Sequence, residues 1–119
     1  MNKQIGIVYS EAIWSLVDAY LPSQIDNAIY LQTFNNCREQ GFMTVIYDLD
    51  MVIWTFANRH TDQASVIIGT HKNIDNINMM YDEEAWKNEK RFNTVDDAAH
   101  YIVKALIAAD EQKQKEEDV

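Results

Sequence analysis

One cysteine, one proline and three glycines among 119 residues narrow the possible architectures before any element is assigned. A lone thiol, Cys37, rules out an intrachain disulfide and a four-thiolate zinc site, and such sparing use of cysteine fits a reducing compartment. Scarce glycine and proline argue against a loop-rich or collagenous chain. Long hydrophobic runs are missing too. The longest, Met51 to Ala57, is broken by Thr55 and falls far short of a membrane span. The N-terminal "MNKQIGIVYSE" holds one lysine and a five-residue apolar run, too short for a signal-peptide core, so a cytoplasmic location with no membrane contact is expected.

Basic residues are in short supply as well. Nineteen acids face ten bases, for a net charge of -9, and residues 110–119, "DEQKQKEEDV", carry -3 of it with five acids and two lysines. A body this acidic is repelled by nucleic-acid phosphates and anionic lipid and attracted to basic surfaces. The partner expected is therefore a basic protein, and not nucleic acid. The length fits a single domain, expected over residues 1–109, with 110–119 as an acidic, frayed or disordered tail.

Periodicity supplies the expected elements. Residues 5–9, "IGIVY", read either as a short strand, which Gly6 favours, or as the first turn of a longer helix. Ser10 as N-cap and the spacing of Ile13, Leu16, Val17, Tyr20 and Leu21 predict a helix over 10–21 that Pro22 closes. Ile25, Ala28, Ile29, Leu31 and Phe34 predict a second helix over 23–40, capped by Ser23 or Asp26, with Gly41 as its C-terminal left-handed residue. From Phe42 the period shortens. "FMTVIY", "MVIWTFA", "SVIIG" and "INMMY" predict four strands between about 42 and 81, antiparallel because their connections are too short for crossover helices. "EEAWKNEKRF" reads as a polar loop or a charged edge strand. Thr94 followed by Asp96 and Asp97 then caps a helix over 95–109 whose stripe is Val95, Ala98, Ala99, Ile102, Ala105, Leu106 and Ala109. The fold class expected is α+β: two N-terminal helices, a mainly antiparallel four-stranded sheet, and a C-terminal helix packed on it.

The segment nearest to chemistry is "VIYDLDMVIW". Haloacid-dehalogenase-type phosphatases open with an apolar strand running into Asp-x-Asp-Gly. Val45-Ile46-Tyr47-Asp48-Leu49-Asp50 resembles that opening, but Met51 stands where the family has glycine. Only about seventy residues follow, the next elements read as antiparallel, and Asp96-Asp97 begins a helix where the family's metal-binding acids follow a strand. Two acids at a strand bend are the better reading, so no catalytic residue is assigned. No metal or cofactor is expected either. His60, His71, His100 and Cys37 show no ligand spacing, and the three glycines form no phosphate loop.

What remains is contact chemistry. Continuing the strand period places Trp54 on one face with Asp48 and Asp50, and a second cluster gathers Tyr81, Asp82, Glu83, Glu84 and Trp86. Aromatic rings among carboxylates suit an interface with a basic protein. In size, charge and element order the whole chain resembles the immunity proteins of bacterial polymorphic and contact-dependent toxin systems, without a shared motif. That resemblance implies a non-enzymatic binding protein and a cognate toxin domain, commonly a nuclease, whose basic cleft is blocked by carboxylates and aromatics. Anti-CRISPR proteins and other acidic nucleic-acid mimics share this logic. A small α+β enzyme or ligand-binding domain, with its pocket between sheet and helices, is the competing class.

Overall fold

A computed structural model describes residues 4–22, 31–36, 41–58, 61–70 and 87–117. Among the described residues two helices, α1 (Gln4–Tyr20) and α2 (Val95–Glu117), accompany one antiparallel sheet. Its strands are β1 (Leu31–Asn36), β2 (Gly41–Ile46), β3 (Met51–Ala57), β4 (Ala64–Thr70) and β5 (Lys90–Phe92). They lie side by side in chain order, every neighbour antiparallel, so among the described residues β1 and β5 are the edges. The α+β class, the antiparallel sheet and the C-terminal helix are as expected.

The N-terminal half departs from expectation. Residues 5–9 lie within α1, which begins at Gln4 and not at Ser10. Ser10 is buried and spends its hydroxyl elsewhere. It donates to the Thr55 carbonyl at 2.7 Å and accepts from the Thr55 hydroxyl at 2.9 Å and from the Phe42 amide at 3.2 Å. A hydroxyl so committed to the sheet cannot cap its own helix. The second helix expected over 23–40 is overturned at Leu31–Asn36, which is a strand paired with β2 from Leu31↔Ile46 to Asn36↔Gly41. Residues 23–30 and 37–40 lie outside the described residues, as does the expected strand "INMMY". Gly41 accordingly begins β2 and closes no helix. A Cβ there would sit 1.9 Å from the Thr55 carbonyl oxygen, so close backbone approach is what requires glycine.

Central position explains the unbroken apolar run of β3. All seven of its residues are buried, because both faces of the middle strand are covered. Towards the helices, Ile46, Met51, Ile53, Ala64 and Val66 join Ile13, Val17 and Leu21 of the α1 segment and Ala98, Ala99, Ile102, Val103 and Leu106 of α2. On the opposite face, Met43, Val45, Val52, Trp54, Phe56 and Ile67 form a second buried cluster.

Alpha helix α2 starts where its cap residues require. The Asp97 amide donates to the Thr94 hydroxyl at 3.1 Å, and Asp96 and Asp97 stand in the first turn, where the helix dipole favours acids. The helix runs past the expected end at 109, on to Glu117. Good helix formers and side-chain pairs one turn apart support this extension, as in Gln114 donating to Asp110 at 2.9 Å and Gln112 to Glu116 at 3.5 Å. The only lysine in its last turn, Lys115, has the sign the dipole favours at that end.

Candidate partner-binding surface

Asp48 and Asp50 lie in the hairpin between β2 and β3. Tyr47–Leu49 form one 3-10 turn, Asp50 takes a left-handed backbone with φ 53°, and Met51 resumes pairing opposite Ile46. Aspartate tolerates that conformation better than most side chains, which accounts for its place at the last loop position. Asp48 is exposed and Asp50 half-buried. Both neighbours of β2 run antiparallel to it, whereas the dehalogenase arrangement needs its aspartate at the end of a parallel strand.

Trp54 does not share a surface with them. It is 4% exposed, packed in the second-face cluster with its ring over Gly69, where an added Cβ would lie 3.2 Å from the indole. The helical turn and the left-handed Asp50 interrupt the strand period, so alternation cannot be counted back from Trp54 to Asp48. Trp54 is thus buried in the sheet and not displayed beside the two acids. Tyr81, Asp82, Glu83, Glu84 and Trp86 lie outside the described residues, as do Cys37, His60 and His71. Among the described residues no group of three or more His, Cys, Asp or Glu could hold a metal ion.

A different cluster joins the two helices on the outside. Tyr20, in the last turn of α1, donates its hydroxyl to Asp96 Oδ1 at 2.5 Å. His100 stands one turn beyond Asp96 on α2, with Nε2 3.4 Å from Asp96 Oδ2. The Tyr20 and His100 rings stack with centroids 4.5 Å apart and planes 6° from parallel. Tyr20 is 40% exposed, and the Asp96 and His100 side chains 50% and 55%. The hydrogen bond to Asp96, then loss of solvent, then the nearby Asp96 charge raise the Tyr20 hydroxyl above its ordinary pKa of 10.0. Counting Tyr20 into the apolar stripe hid this cluster from the sequence. The helical spacing of Asp96 and His100 was the legible half.

A second polar cluster ties the short edge strand down. Glu89 Oε2 accepts from Arg91 Nε at 2.6 Å, Asn58 Nδ2 at 3.2 Å and Ser65 Oγ at 3.3 Å. The Glu89 side chain is only 12% exposed, and its hydrogen bonds span the approach to β5, the end of β3 and β4. These contacts are internal, so this cluster stabilises the edge, whereas the Tyr20 corner presents its groups to solvent. No protein-family model matches the chain, and neither a curated protein nor a solved structure matches it.

Proposed function

We propose that this chain is a binding protein that occupies a basic protein partner in the cytoplasm and neutralises it. A toxin domain of the nuclease type is the partner that the whole-chain resemblance to immunity proteins implies. The observation that carries the reading is the charge: a net -9, with carboxylates displayed at Glu11 and Asp18 of α1, Asp48 of the hairpin, and Asp97, Glu111 and Glu116 of α2. Such a surface raises the encounter rate with a basic cleft and disfavours nucleic acid as a ligand. Asp48 and Asp50 keep their proposed place in the contact, as do residues 81–86 on their composition. Trp54 supports the hairpin from within.

The test is capture of the partner on the immobilised protein from lysate of the cells that encode it. A single basic chain, retained at low salt and released by about 0.5 M NaCl, supports the reading, because exposed charges are screened beyond a few ångströms there. An acidic chain, or one held equally at all salt concentrations, overturns it.

A further inference from the structure

We propose that the exposed Tyr20–His100 stack and the Asp96 carboxylate form a seat for an arginine side chain of the partner, an inference that rests on the basic-partner reading. Three half-exposed side chains from two helices are already fixed to one another: ring on ring at 4.5 Å, and hydroxyl and imidazole on the two oxygens of one carboxylate. Exposed side chains ordinarily lose rotamer freedom when a partner binds. Here that ordering precedes binding. The resulting surface is a flat aromatic step beside an anion. A guanidinium suits it on both counts, being planar, weakly hydrated, able to lie on an aromatic face and able to direct two N–H groups at a carboxylate. A lysine ammonium is a compact, strongly hydrated point charge and gains less from the step. Asp96 has capacity to spare, since a carboxylate offers about four acceptor sites and one contact falls on each oxygen here.

The corner also matches the charge of its surroundings. Asp97 is exposed next to Asp96 in the first turn of α2, and Asp18 is exposed two residues before Tyr20. The aromatic step distinguishes among the cations that these carboxylates attract.

Titration of the isotope-labelled full chain with tetra-arginine and tetra-lysine peptides, followed by NMR, tests the seat without the natural partner. The arginine peptide should shift the Tyr20 and His100 ring signals and bind roughly 3- to 10-fold tighter than the lysine peptide. Tyr20→Ala should erase that preference, whereas Tyr20→Phe, which keeps the ring, should retain part of it. Asp96→Asn keeps an acceptor for the Tyr20 hydroxyl and removes the charge, so it should weaken the arginine peptide even if Tyr20→Ala fails to fold. Equal affinity for both peptides, with shifts spread over Asp48, Asp97 and Glu111, would overturn the seat and leave the acidic-surface reading standing. Binding of neither peptide at the corner overturns the seat as well. Failure of the basic-partner reading shows separately, in the pI of the captured chain.

Discussion

Ser10 shows how one hydroxyl can hold a helix to a sheet. It has one proton to donate and two lone pairs to accept with, and all three are used, on Thr55 twice and on the Phe42 amide. Ser10→Ala should therefore cost about 1–3 kcal/mol in chemical denaturation, because the Thr55 carbonyl and hydroxyl and the Phe42 amide lose a buried partner. A loss below about 0.5 kcal/mol, within ordinary surface scatter, would mean these contacts do not form in solution. Tyr20 carries a pH prediction of determinate sign. Its hydroxyl is raised in the folded chain above the ordinary 10.0, so the protonated form is the one folding favours. Stability from this group is fully present below pH 10.0 and declines as pH rises through the folded value. Denaturation midpoints measured across the alkaline range should fall more steeply for the native chain than for Tyr20→Phe. Parallel curves would contradict the link to Asp96.

At the scale of elements, packing decided what local pattern left open. In the expected second helix, Leu31 and Phe34 fit a helical stripe, yet "LQTFNN" contains Thr33, Asn35 and Asn36, weak helix formers, and pairs along its full length with β2. The pairing partner lies after Gly41, beyond the reach of a local window. By contrast β3 and α2 were legible, the first from β-branched and aromatic crowding, the second from its cap and stripe. The hairpin acids were legible as a bend, but not their separation from Trp54, which depends on the backbone of Asp50. Helix α2 offers a sharp test of the core. Ile102 is wholly buried against the sheet and α1, so Ile102→Asp places an unpaired charge there at a cost of several kcal/mol against a total stability of roughly 5–15. Circular dichroism should show an unfolded chain at room temperature. A cooperative melt near that of the native protein would remove Ile102 from the core. Thr94→Ala should be milder, about 1 kcal/mol, since it removes one capping acceptor.

The described residues form a sheet with two helices on one face and a second buried apolar cluster on the other, and the chain as a whole is acidic. Among the described residues no helix is long and apolar enough to cross a membrane. Composition made the charge legible from the start, but not its arrangement. The join of Tyr20 to Asp96 and His100 spans 76 residues from Tyr20 to Asp96 and exists only once both helices are docked. Charge and contact should separate in kinetics. Exposed carboxylates act at long range and set the association rate, whereas a desolvated ring at the contact centre governs release. Asp48→Lys should slow association with the captured partner by a few-fold, and Tyr20→Ala should mainly hasten dissociation.

The association rate with that captured partner, measured by stopped flow across a salt series, bears most directly on the acidic surface as the binding determinant. Steering by complementary charge requires the rate to fall about tenfold or more between roughly 0.05 and 0.5 M NaCl, as the Debye length shrinks to a few ångströms. A rate that stays constant over that range would contradict it.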